Sequence, residues 1–140
     1  MSADAGHRSL PHTADTRIQA WAPTTGQCIA QAVLGMAKSF LDLRGAAATG
    51  EYDLHVEPGE PQDQLVAVLD EIIYLMDTTE QIPIKAVALQ RQNRLSLHLT
   101  MADLATVPQT GAVPKAVALH QLTFFEHRAG QWTCTVTLDV

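Results

Sequence analysis

The stretch from Pro61 to Asp77 constrains the fold more than any other. Leu65, Val66, Val68, Leu69, Ile72, Ile73, Leu75 and Met76 place apolar side chains on nearly every side of a helix. A helix that is apolar all round is buried all round. In a chain of 140 residues, large enough for one sizeable core, it must be covered by two layers, a sheet on each side. Asp70, Glu71 and Asp77 interrupt the pattern. Each needs water, a partner or a metal, because an unpaired buried charge is too costly. The turn Glu57-Pro58-Gly59-Glu60 leads into the helix, and Pro61 is well placed to open it.

The remaining segments supply the covering sheets. In Thr16 to Trp21, Ile18 and Ala20 alternate with Arg17, Gln19 and Trp21, the pattern of a half-exposed strand. A first helix follows, with Thr24 or Thr25 as its N-cap. Cys28, Ile29, Ala32, Val33, Met36, Ala37 and Phe40 form one apolar stripe on it, and Gly45 with the small residues after it is expected to end it. Glu51 to Glu57 alternates again. After Thr78 the chain turns to strands: Ile82 to Gln90, Leu95 to Met101, Lys115 to Glu126 and Gln131 to Val140. The short turns Arg91-Gln92-Asn93-Arg94 and His127-Arg128-Ala129-Gly130 make neighbouring strands antiparallel. Ala102 to Pro114 is expected as a loop. The predicted class is α+β, a three-layer sandwich of antiparallel sheets with two helices in the order β-α-β-α-β-β-β-β. One domain spans residues 1–140, with residues 1–7 expected to be disordered.

Candidate chemistry gathers at the two ends of the chain. Pro11-His12-Thr13-Ala14-Asp15 puts a histidine, a hydroxyl and a carboxylate into a turn before the first alternating segment. In the last strand Trp132, Cys134, Val136 and Leu138 share one face, and Thr133, Thr135, Thr137 and Asp139 share the other. Taken singly, Asp15 caps a turn and Asp139 is a solvated terminal acid. Taken jointly, Asp15, Asp139 and the carboxylate of Val140 are hard oxygen donors of the kind that calcium, magnesium or manganese prefer. His12 is a structural histidine or a ligand beside Asp15. Glu71 is either paired inside or placed at the site. Lys115 follows Pro114, where a long amine reaches solvent, an anion or a partner rim. Lys115 and His120 lie on opposite faces of an unbroken strand, unless a bulge lies between them.

Other chemistries find little support. The net charge of −6, from 15 acidic and 9 basic residues, argues against broad binding to a phosphate backbone and for attraction of cations or a basic partner. A local basic patch is compatible with that balance. There is no glycine-rich phosphate loop and no nucleophile elbow. At 5% aromatic residues, a base-stacking platform is not expected. Cys28 and Cys134 both fall on apolar faces and are expected to be reduced core residues. No secretory or membrane-spanning segment is apparent, so a cytoplasmic location is expected.

Four pieces in order resemble the archease family. They are His12-Thr13-Ala14-Asp15, the helix ending Asp70-Glu71-Ile72-Ile73-Tyr74-Leu75-Met76-Asp77, Lys115-Ala116-Val117-Ala118-Leu119-His120, and Thr137-Leu138-Asp139-Val140. Val68 stands where the family often has tryptophan, Ala67 where it often has an acid, and Gln121 where a glycine is usual. The resemblance implies the three-layer fold. It also implies a protein cofactor, not an enzyme, that promotes guanylylation and turnover of an RtcB-type, GTP-dependent RNA ligase in tRNA splicing or RNA repair. It implies a metal site from Asp15, Asp139 and Val140, holding calcium, manganese or magnesium. Lys115, His12, Glu71 and His120 are then candidates for contact with the partner or the nucleotide. Stable RNA binding by the chain itself is not expected. The alternatives are a metal-binding chaperone or adaptor for another RNA-processing enzyme, and a stand-alone metal-dependent hydrolase.

Overall fold

The computed structural model describes residues 4–10, 15–92 and 94–140. The elements are β1 (Gly6–Leu10), β2 (Thr16–Ala22), α1 (Thr25–Phe40), β3 (Gly50–Val56), α2 (Pro61–Thr79), β4 (Gln81–Arg91), β5 (Arg94–Asp103), β6 (Ala116–Arg128) and β7 (Gln131–Asp139). A 3-10 turn, Leu104–Thr106, interrupts the long connection before β6. The strands form two antiparallel sheets, β1-β2-β7-β6 and β3-β5-β4. Both helices lie between them, and each touches both sheets. The expected class and order are therefore present, with one strand added ahead of them. That strand, β1, corrects the expectation for part of residues 1–7. Gly6 and His7 pair with Trp21 and Ala20, and the His7 Nδ1 lies 2.8 Å from Gln31 Oε1 of α1.

The two helices exchange the roles that hydropathy assigned them. α2 is not sealed on every side: Asp63, Ala67, Asp70, Tyr74 and Asp77 form an exposed stripe at helical spacing. Its acids therefore reach water, which removes the need for buried partners. α1 is the more enclosed helix, burying Gly26, Cys28, Ile29, Ala30, Ala32, Val33, Gly35, Met36, Ala37 and Phe40. Small residues carry much of that burial, and they let backbones approach. A Cβ on Gly35 would come within 2.7 Å of Ile18 Cγ2. Thr24 is the N-cap and accepts a hydrogen bond from the Gln27 N–H at 3.1 Å. The helix ends at Phe40, earlier than the glycine at position 45 suggests, because Leu41 turns extended and bridges to Gln109.

The core between the sheets includes Ile18, Phe40, Leu69, Ile72, Leu97, Leu99 and Leu138, each fully buried or nearly so. Burial of each such side chain contributes about 1.5–3 kcal/mol. Cys28 and Cys134 are free and buried there, their sulfurs 3.5 Å apart. The hydrogen bond with the neighbouring Cys28 thiol, and then burial, push the Cys134 thiol far above its ordinary pKa, so it stays protonated. No helix among the described residues is long and apolar enough to cross a membrane.

Candidate functional site

The β2–β7 ladder determines where the two ends of the chain meet. Its register pairs Ala22 with Trp132, Ile18 with Val136, and Thr16 with Leu138. Asp15 and Asp139 are the next residues along on the two strands, so the antiparallel ladder delivers both to the same end of the four-stranded sheet. On the other side of β7, Asp139 pairs with Ala116, and the Lys115 N–H donates to the Asp139 carbonyl at 2.7 Å. Asp139 and Lys115 are exposed, while Asp15 and Val140 are half-buried. Asp15, Asp139, Val140 and Lys115 thus come together at one end of one sheet. His12 lies outside the described residues.

The donor set at this end is all oxygen: two carboxylates and the main-chain oxygens of the last residues. Among the described residues, no three His, Cys, Asp or Glu side chains group as metal ligands. Such a set fits a hard cation that keeps several waters, not a zinc site. A further oxygen lies on the same face of β7. Thr137 is fully buried although it is on the polar face of β7, and its Oγ1 has no hydrogen-bond partner among the described residues. It shares that face with Asp139, two residues on. Across the ladder from Thr137 is Arg17, whose Nε is likewise buried without a partner among the described residues. Two orphaned polar atoms side by side are unusual in a sheet, since buried polar groups are nearly always paired.

Lys115 and His120 are separated by the irregularity that sequence spacing alone left open. The β6–β7 register shifts between Ala118 and Thr123. Ala118 faces Thr137 and Thr123 faces Thr135, so β6 carries extra residues in a bulge there. The opposite-face rule therefore does not hold from Lys115 to His120. Gln121 sits in the bulge with φ of 60°, the left-handed region that favours glycine. Leu119, beside His120, is 70% exposed.

Glu71 belongs to a different place. Its Oε2 accepts from the Tyr52 hydroxyl of β3 at 3.3 Å. The pair lines a groove of about 610 Å³ between β3 and α2. Burial, and then Glu71, raise the Tyr52 pKa above its ordinary value. Glu71 is thus paired with a side chain of the three-stranded sheet, not with the carboxylates at the end of β2 and β7.

One cluster escaped the sequence reading. On the outer face of the three-stranded sheet, His98 Nδ1 is 2.6 Å from Asp53 and Nε2 is 2.7 Å from Glu51. Carboxylates only accept, so the protonated ring, with both nitrogens donating, satisfies the two bonds at once. Asp53, then Glu51, hold its pKa above the ordinary histidine value. The two acids grip opposite nitrogens, which excludes one cation shared by all three groups. The only local signal was alternation in each strand. The pairing of Asp53 with His98 and Glu51 with Thr100 is a long-range fact.

Comparisons with known proteins speak to the family and the fold. The model of the Archease protein family matches residues 7–140. The chain is 48% identical over 136 residues to proteins named "Probable protein archease" from two strains of Mycobacterium tuberculosis, CDC 1551 / Oshkosh and H37Rv. Each match covers 97% of this chain and 75% of the relative. Among solved structures, Methanobacterium thermoautotrophicum protein 1598 matches with a TM-score of 0.74 at 21% identity, covering 96% of this chain and 99% of that one. A Thermotoga maritima protein, described as an archease and possible chaperone, matches with a TM-score of 0.68 at 18% identity and covers 94% of each chain. At such identities the structural likeness speaks for the fold.

Proposed function

The chain belongs to the archease family, and from that premise we propose that it is a non-enzymatic activator of an RtcB-type, GTP-dependent RNA ligase. The observation that carries the proposal is the meeting of Asp15 and Asp139 at one exposed end of the four-stranded sheet. Asp15, Asp139 and the main-chain oxygens of Val140 hold a divalent cation there, calcium, manganese or magnesium, and Thr137 lies on the same face of β7, two residues before Asp139. When bound, the cation supplies positive charge for a nucleotide phosphate at the ligase active site. The chain's own residues do the rest. The β2–β7 ladder keeps the two carboxylates in fixed register, so the tip is preorganised. Lys115, tied through its N–H to the Asp139 carbonyl, adds a cationic side chain that reaches toward phosphate or the ligase. His120 and exposed Leu119 in the β6 bulge form the adjoining rim for the partner.

The test is guanylylation of the cognate ligase with GTP, with and without the protein. Wild type is expected to raise the rate and the number of turnovers. Asp15→Ala is expected to abolish stimulation while leaving the circular dichroism spectrum unchanged. Full stimulation by Asp15→Ala refutes the tip mechanism. A role as chaperone or adaptor for another RNA-processing enzyme draws support from the description of the Thermotoga protein. It predicts capture of a different enzyme from native extract and no effect on guanylylation.

A further inference from the structure

The outer face of the four-stranded sheet changes character along its length. Asp15 and Asp139 lie at one end. At the other, beside the β6–β7 hairpin, Arg8, Trp21, His127, Arg128 and Thr133 line a shallow trough of about 370 Å³, and Gln19 and Gln131 complete it. No acid is among these lining residues, in a chain whose acids outnumber its bases 15 to 9. The hairpin's own carboxylate, Glu126, is turned to the Gly130 N–H at 3.1 Å.

Arg8 is positioned, not merely nearby. The Arg8 guanidinium lies over the Trp21 ring, 5.4 Å from its centroid, and its Nε donates to Gln19 Oε1 at 2.7 Å. Among the described residues this is its one side-chain hydrogen bond, which leaves the two terminal NH2 groups as a fork for an anion. Trp21 is held down on β1, because a Cβ on Gly6 would stand 2.5 Å from its ring. Thr133 pairs with Trp21 on one side and with Phe125 on the other. The three side chains therefore share one face, with the aromatic positions about 10 Å apart across the small threonine. Phe125 is 49% exposed.

We propose that this trough binds a short segment of single-stranded RNA. Arg8 and Arg128 take its phosphates, a base lies against exposed Phe125, and the Gln19 and Gln131 amides meet base edges. Aromatic rings and amides among the cations favour a nucleic acid over an acidic protein segment. The choice of RNA rests on the ligase-activator proposal above. With two arginines the hold is local and transient, which accords with the overall negative charge.

The experiment is titration of a fluorescein-labelled ten-nucleotide oligoribonucleotide with the full chain, followed by anisotropy and by tryptophan fluorescence. The expected result is binding at low salt, with log K falling against log salt at a slope of about −1.4 for two phosphates. Arg128→Glu is expected to weaken binding at least about tenfold and to flatten that slope, because it replaces a charge-assisted bond to phosphate with repulsion. Phe125→Ala is expected to weaken binding with the slope unchanged. Both positions are exposed, and circular dichroism confirms that each variant is folded. No binding at low salt, unchanged binding by Arg128→Glu, or preference for a poly-glutamate competitor over RNA overturns the proposal. Guanylylation is measured with GTP and no RNA, so failure here and failure of ligase activation are read separately.

Discussion

Replacement of Thr137 by valine tests whether an orphaned hydroxyl at the candidate site serves the fold or a ligand. Thr137 is fully buried and its Oγ1 has no hydrogen-bond partner among the described residues. Burying a hydroxyl without a partner costs about 1–3 kcal/mol. Valine keeps the branched shape and removes the polar atom, so Thr137→Val is expected to stabilise the metal-free protein by about 1 kcal/mol or more. With an unfolding entropy of about 2 cal/mol/K per residue, 140 residues turn each kcal/mol into a rise of about 3 °C in Tm. The assay is thermal unfolding by calorimetry in chelator and then in millimolar calcium. The variant should melt about 3–6 °C higher in chelator, and its further gain on adding calcium should be smaller than that of wild type. Destabilisation by more than about 1 kcal/mol in chelator would show that the hydroxyl is bonded within the fold, and the reasoning would fail.

Two further predictions concern the β6 bulge and the outer face of the second sheet. Gln121 occupies a left-handed conformation with φ of 60°, so Gln121→Gly is expected to stabilise by about 0.5–1 kcal/mol in urea unfolding, and Gln121→Val to destabilise by at least as much. The raised pKa of His98 means that its stabilising contribution is complete below the unfolded value of 6.5 and is lost as pH rises through the higher folded value. His7 acts in the opposite sense, since burial lowers its pKa and stability is lost as pH falls. His98→Gln should therefore remove the decline in Tm on the alkaline side while leaving the acid side intact, and imidazole proton NMR should show His98 titrating above 6.5.

Much of the fold was legible because alternation and helical period are local. β7 reads without ambiguity from Trp132 to Asp139, and the same alternation placed Asp139 on the polar face. The meeting of Asp15 with Asp139 follows from one antiparallel pairing of β2 with β7, which the pattern permits but does not dictate. Hydropathy misranked the helices because glycine and alanine score weakly. The burial of Gly26, Ala30, Ala32 and Gly35 in α1 reflects close approach of backbones, not greasy side chains. β1 was missed because Gly6-His7-Arg8-Ser9-Leu10 has no clean alternation, and its strand state comes from pairing with β2. The same is true of His98, whose two acids lie 45 and 47 residues away in sequence. The bulge that frees His120 from the strand rule left no local trace, because a glutamine, not a glycine, holds the left-handed position at Gln121.

The central claim is that one cation is shared by an aspartate from each end of the chain. Calorimetric titration of calcium or manganese into wild type, Asp15→Asn, Asp139→Asn and the double variant tests it most directly. One ion is expected to bind wild type, each single variant should lose at least about tenfold in affinity, about 1.4 kcal/mol, and the double variant should lose less than the sum of the two. Unchanged affinity in either single variant, or losses that simply add, would mean that Asp15 and Asp139 do not grip the same ion.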